Sequence, residues 1–213
     1  VPKLSSSNAL SLDAERGPVS GTHALAKGFH IAPQGPESAV ANARLLAGLP
    51  HRPIVTMDIL ADAFINASVY RDLHFLEHLT AFLPSESEII RIWRPASIEA
   101  WLKENAARYG CHLVAKVGER GALVCEAVTA ALTHVPAFPA SVVDTTGAGD
   151  SFCGGFIAGL VEGEDVVTAA AMGTVSASYV VETYGALETA IPTATERMAR
   201  LDHVRARIHP VSS

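Results

Sequence analysis

The run Asp144-Thr-Thr-Gly-Ala-Gly-Asp150-Ser-Phe-Cys-Gly-Gly155 constrains this chain more than any other stretch. Gly147, Ala148 and Gly149 stand directly before an acid that opens a strongly apolar helical segment. Small residues let main-chain N–H groups converge on one point, and a helix start adds unsatisfied donors and a positive dipole end. Such a place binds an anion, most often a phosphate. An aspartate at its rim can take a proton from a nearby hydroxyl. The two together are what phosphoryl transfer to an alcohol requires.

The helical segment itself carries Gly154, Gly155 and Gly159. Each interior glycine costs roughly 0.5–1 kcal/mol relative to alanine, so something approaches this helix closely or it packs tightly on a sheet. A functional site at the helix start is the better account. Phe152, Phe156, Ile157, Leu160 and Val161 form the opposite, core-facing stripe.

Around that segment, strand-length apolar runs alternate with helical patterns. Strands are expected at 28–32, 53–58, 111–117, 122–125 and 132–136, with a further short apolar run at 81–84. Helices are expected at 38–48, 70–79, 85–93, 97–109, 149–163, 165–182 and 195–208. This order implies an α/β sandwich with a mainly parallel sheet, and the turn Gly118-Glu-Arg-Gly121 adds a local antiparallel hairpin near one edge. Residues 1–21 are polar and Ser-rich and read as a loosely packed tail, leaving 22–213 as one domain.

The net charge of −6 and pI of about 5.8 argue against a nucleic-acid or anionic-membrane partner, though not against a local phosphate site. Cys111, Cys125 and Cys153 lack metal-like spacing and sit in apolar sequence, as reduced cysteines of a cytoplasmic protein do. No signal-peptide pattern is visible. The longest apolar stretch, 166–181, is interrupted by polar residues and shorter than the ~20 residues of a membrane span. The chain begins at Val1 and not at methionine, so a missing beginning is expected.

Two familiar phosphate motifs are excluded. There is no Gly-x4-Gly-Lys-Ser/Thr. Gly147-x-Gly149 also lacks the third glycine of a dinucleotide fingerprint, because Phe152 stands there. The run DTTGAGDSFCGGF instead resembles the C-terminal motif of the ribokinase-like (PfkB) carbohydrate kinases, D-T-x-G-A-G-D-x-F. The resemblance covers roughly 28–191 and implies a three-layer ribokinase-like fold. It implies that Asp150 is the catalytic base, and that Gly147, Ala148 and Gly149 supply an anion hole. Lys116-Val-Gly118-Glu-Arg-Gly121 resembles the family's nucleotide-binding turn, which makes Lys116, Gly118, Gly121, Thr146 and Gly149 the residues expected to hold ATP. The same resemblance places Asp144, Thr146 and Gly185 around a monovalent cation such as K+, and Glu88 beside Mg2+.

Three departures qualify this. Relatives carry Asn-x-x-Glu where this chain has Ser85-Glu86-Ser87-Glu88, and Ser85-x-x-Glu88 is equally a helix capping box. A family asparagine near the adenine pocket corresponds to Thr174, to which no role is carried. The N-terminal Gly-Gly-x-x-x-Asn acceptor motif and lid are missing, so the N-terminal part of the fold is expected to be incomplete. Asp58 either faces the site or is a strand-terminal turn acid. His74-Phe-Leu-Glu77-His78 matches a metallopeptidase pattern, but no third ligand is evident and it reads as a half-exposed helix.

The expected activity is therefore ATP- and Mg2+-dependent phosphorylation of a hydroxyl on a sugar or nucleoside. The alternative is a truncated or degenerate relative that binds nucleotide or a partner without turnover. A homodimer is compatible with the resemblance.

Overall fold

Among the described residues, seven strands form one mixed sheet whose spatial order follows the chain, β1 to β7. The computed structural model describes residues 25–60 and 67–211. The expected tail, 1–21, lies outside them. Strands β1 (Gly28–Ile31), β2 (Ile54–Met57), β3 (Ala81–Phe82) and β4 (His112–Lys116) pair in parallel. From β4 onward the pairing is antiparallel, through β5 (Ala122–Cys125), β6 (Leu132–Val135) and β7 (His209–Pro210). Parallel strands need crossover connections: α1 (Pro36–Ala47) lies between β1 and β2, and α2 (Glu86–Trp93) and α3 (Ile98–Tyr109) lie between β3 and β4.

Helices cover both faces of the sheet. On one, α1, α2 and α3 bury Leu46, Ile89 and Leu102 against Val55, Phe82 and Leu113. On the other, α4 (Ala148–Glu162), α5 (Val166–Val180) and α6 (Ala194–Arg205) bury Phe156, Val175 and Val204 against Leu83, Val114 and Val124. Strand β4 divides its side chains by pleat alternation, with Leu113 and Ala115 in the first core and Val114 in the second. The result is the three-layer α/β sandwich expected from the sequence, with a longer antiparallel extension than one hairpin.

Local chemistry sets the helix ends. Ser85 caps α2 in a full capping box with Glu88, Thr193 does the same for α6 with Glu196, and Asp165 caps α5. The helix expected at 70–79 is instead two 3-10 turns, Ala67–Tyr70 and His74–His78. Leu73 between them is left-handed at φ 58, which no continuous helix accommodates. Tertiary packing wins there, because Tyr70, Leu73, Phe75 and Leu76 all enter the first core. Helix α6 also ends earlier than expected, since 209–210 extend the sheet beside His134 and Thr133.

The close approach implied by the α4 glycines is made by α5. A Cβ on Gly155 would lie 2.8 Å from the Met172 carbonyl oxygen, and one on Gly159 would lie 2.9 Å from Ala169 Cα. A Cβ on Gly154, by contrast, would have no other atom within 4 Å. Helix packing therefore accounts for two of the three glycines, and the site at the helix start does not need them.

Candidate functional site

The sequence places a sharp turn before α4, and the backbone achieves it through Gly147, the N-cap, at φ 81. Ala148, Gly149 and Asp150 are the first three helical residues, with Asp150 exposed on the first turn. The Ala148 N–H is turned back to the Thr145 carbonyl at 3.1 Å. The N–H groups of Gly149 and Asp150 have no intrahelical carbonyl four residues back and point out of the helix start. Together with the helix dipole they form a positive rim beside the Asp150 carboxylate.

A row of polar side chains crosses the sheet directly beneath this helix start. His30 on β1 shares a hydrogen bond with Thr56 on β2, Nδ1 to Oγ1 at 2.9 Å. One residue beyond β2, Asp58 accepts the Ile59 N–H on Oδ1 at 2.8 Å and forms an ion pair with Lys116 through Oδ2. The Cys153 thiol on α4 lies 3.6 Å from the same Asp58 oxygen and 3.9 Å from Lys116 Nζ. Lys116 Nζ in turn lies 3.7 Å from where a Gly149 Cβ would stand, which puts a buried ammonium against the helix start. Asp58 thus faces the site, which resolves the choice its sequence position left open.

The electrostatics follow from burial and these neighbours. Burial holds His30 below the ordinary imidazole value, outweighing the opposing pull of Asp58, so the ring is neutral near pH 7. Burial also acts against the charged form of Lys116, but the Asp58 carboxylate paired with it, helped by Glu88, more than offsets this and its pKa rises. Burial pushes up the Cys153 thiol, which is an unreactive filler of this layer. Glu88 is raised by burial too, against the Ser85 N–H that its Oε2 accepts at 2.6 Å.

On the far side of Lys116 a cavity of about 410 Å3 opens between the 116–121 turn, the segment 137–142 and helix α5. Lys116, Gly118, Gly121, Ala148 and Gly149, all singled out from the sequence, line it. So do Phe138, Thr174 and Ser178, which the sequence did not mark for a role. Its size suits a nucleotide base and sugar, and its walls are largely apolar. The Thr174 hydroxyl is buried there without a hydrogen-bond partner.

The remaining marked residues form a separate clasp. Asp144 Oδ1 accepts from the Thr146 N–H at 3.0 Å and the Thr146 hydroxyl at 2.8 Å, and Oδ2 accepts the Gly185 N–H at 3.1 Å. These donors hold the Asp144 carboxyl below its ordinary range, with the Thr146 bonds contributing most. The clasp ties the loop before α4 to the loop after α5. Glu88 stays in its capping box, near enough to Lys116 and Asp58 for their charges to act on it. His74 and His78 do not join a cluster. His74 pairs with Glu77 at 3.3 Å, both exposed, and meets the Tyr109 ring edge-on, and no group of three metal-ligating side chains occurs among the described residues.

A cavity bordered by a glycine turn and a helix N-terminus, with an acid on its rim, agrees with the motif-level resemblance. The model of the pfkB family of carbohydrate kinases matches residues 36–194, most of the chain. This chain belongs to the pfkB family. A ribokinase of Lactococcus lactis is 28% identical over 138 residues, 65% of this chain and 44% of that protein. A cytidine kinase of Thermococcus kodakarensis is 30% identical over 167 residues, 75% of this chain and 57% of that protein. The nucleoside kinase of Methanocaldococcus jannaschii, an archaeal member of the ribokinase family, superposes with a TM-score of 0.67 at 23% identity. That superposition covers 89% of this chain and 60% of the neighbour, and it establishes the shared ribokinase-like fold. This pfkB chain thus spans about half the length of the curated relatives it matches. No helix among the described residues is long and apolar enough to cross a membrane.

Proposed function

We propose that this chain transfers the γ-phosphoryl group of ATP to a hydroxyl of a sugar or nucleoside. The observation that carries the reading is the convergence of the Lys116–Gly121 turn and the Gly147–Asp150 helix start on one cavity. The names of the relatives, a ribokinase and a cytidine kinase, supply the acceptor class.

In this reading the base and ribose of ATP occupy the cavity, and Lys116, Gly118, Gly121, Thr146 and Gly149 hold the nucleotide. Asp150 orients the acceptor hydroxyl and takes its proton as that oxygen bonds to the γ-phosphorus and the bond to ADP breaks. The outward N–H groups of Gly149 and Asp150 stabilise the equatorial oxygens, the Ala148 N–H being held by the Thr145 carbonyl, with Lys116 as a fixed positive charge beside them. Catalysis here is chiefly positioning and electrostatics.

Glu88 fits Mg2+ only through the ion's water shell, since its second carboxylate oxygen already serves the α2 cap. When bound with ATP, Mg2+ would neutralise phosphate charge. Asp144, Thr146 and Gly185 would hold a monovalent cation that braces the two clasped loops, and no chemical step depends on it.

A second reading, nucleotide binding without turnover, draws on the same Glu88, because its capping role is complete without any metal. Calorimetric titration with MgATP, followed by coupled ADP-release assays on a panel of pentoses, hexoses, sugar acids and nucleosides, separates the two. MgATP binding with turnover on one acceptor supports the kinase. Binding with no turnover on any acceptor supports the second reading, and no binding overturns both.

A further inference from the structure

Arg200 on α6 touches two walls of the cavity from behind. Its guanidinium carbon lies 3.8 Å from the Tyr179 ring centroid and 4.5 Å from that of Phe138. Nη1 donates to the Ser178 hydroxyl at 2.9 Å, and Nη2 donates to Glu182 at 2.7 Å. The Ser178 hydroxyl itself donates a hydrogen bond to the Val175 carbonyl at 2.6 Å, so its orientation is fixed from both sides. One planar cation thereby joins α6, the C-terminal part of α5 and the segment that carries Phe138.

That connection matters because the two walls differ in rigidity. Ser178 belongs to a helix and is held by its backbone. Phe138 lies in 136–143, a stretch without helix or strand, where its ring position depends on what packs against it. Arg200 provides one such contact and the His203 ring, 5.2 Å away at a steep angle, provides another. Both come from α6, a helix that does not itself line the cavity. The Arg200 head is mostly desolvated, with its side chain 18% exposed, where cation–π and charged hydrogen bonds are strongest.

We propose that Arg200 is a positioning residue for the nucleotide cavity, setting the distance between Phe138 and Ser178 and so the affinity for the nucleotide. This rests on the reading of the cavity as the ATP site. Without Arg200 the Phe138 ring keeps only the His203 contact from α6, while the Asp150 region, at the other end of the site, is untouched.

The test is MgATP titration calorimetry on the whole chain, unsubstituted and as Arg200→Met, Arg200→Lys and Val204→Ala. Arg200→Met should weaken MgATP binding about ten-fold, only a part of what the ring–cation contact and the charged hydrogen bond contribute, because both lie behind the wall and not on the nucleotide. Arg200→Lys keeps a charge over the rings but loses the fork, and should recover part of that loss. Val204, fully buried on the same helix, controls for loss of stability: Val204→Ala should lower the melting temperature and leave MgATP affinity within about twofold. An Arg200→Met affinity equal to that of the unsubstituted chain overturns the proposal, and so does an equal affinity loss in Val204→Ala. If Arg200→Met does not fold, Arg200→Lys against Val204→Ala decides the matter alone. Absence of MgATP binding by the unsubstituted chain overturns the ATP reading together with this one.

Discussion

Lys116 and Asp58 form a buried ion pair across the C-terminal ends of β4 and β2, spanning the short strand β3 between them. Their side chains are 15% and 6% exposed, so neither charge is solvated well enough to stand alone. Removing one partner from such a pair typically costs about 3–5 kcal/mol, because the other charge is left buried and uncompensated. Lys116→Met and Asp58→Asn should therefore each destabilise the fold by roughly that amount in urea titrations. The double variant should lose less than the sum of the two. Strict additivity would show that the pair does not act as a unit.

Asp150 sits at the opposite extreme, exposed and without an ion pair among the described residues. Asp150→Asn should leave the melting temperature within about 2 °C of the unsubstituted chain, since surface changes usually stay within 0.5 kcal/mol. MgATP affinity should be spared as well. Turnover on the acceptor should fall by about 10^2 to 10^4, the range typical of a lost general base. Substantial retained turnover would remove Asp150 from the base role.

The parts of this molecule legible in the sequence were those governed by local rules. The capping box at Ser85, the end of α4 at Gly163 and the permissive turn at Gly147 all follow from residue type at one position. The site turn and helix start were legible for the same reason, because small residues before an acid dictate their own backbone. What stayed hidden depends on residues distant in the chain. Asp58 meets Lys116 across 58 positions, and Arg200 on α6 meets Phe138 in the loop after β6; neither pairing leaves a periodic or spacing signal. The break at Leu73 was equally invisible, since an apolar run of that length fits a helix until tertiary burial forces two tight turns.

The buried imidazoles give stability a pH dependence. His30 and His112 both lie below the ordinary value of 6.5, burial being the largest cause for each. A histidine with a lowered folded-state pKa favours folding fully above the unfolded value, and that contribution is lost as pH falls through the folded one. Glu88 works in the opposite sense. Its raised pKa means that its contribution is present at low pH and lost as pH rises past the ordinary carboxylate range. The histidines dominate between about pH 7 and pH 5, where an ordinary imidazole gains its proton. The urea midpoint should fall over that interval, and His30→Gln should reduce the slope. An unchanged slope would mean that His30 accepts a proton in the folded state without penalty.

Gly154 and Gly155 are neighbours in sequence with opposite surroundings, which makes them a sharp test of how α4 packs. A Cβ on Gly155 would meet the Met172 carbonyl oxygen and Ser176 Cβ at 2.8 Å, and the backbone oxygen cannot yield without moving α5. Gly155→Ala should destabilise the chain by about 1–3 kcal/mol, the usual scale of overpacking between well-fitted elements. Gly154 is exposed, and a Cβ there would meet no other atom within 4 Å. Gly154→Ala should instead stabilise by about 0.5–1 kcal/mol, because alanine loses less backbone freedom than glycine on entering a helix. Chemical denaturation of the two single variants reads both signs directly. If Gly155→Ala were neutral, α4 and α5 would not be in the tight contact described, and the glycines would need another explanation at the helix start.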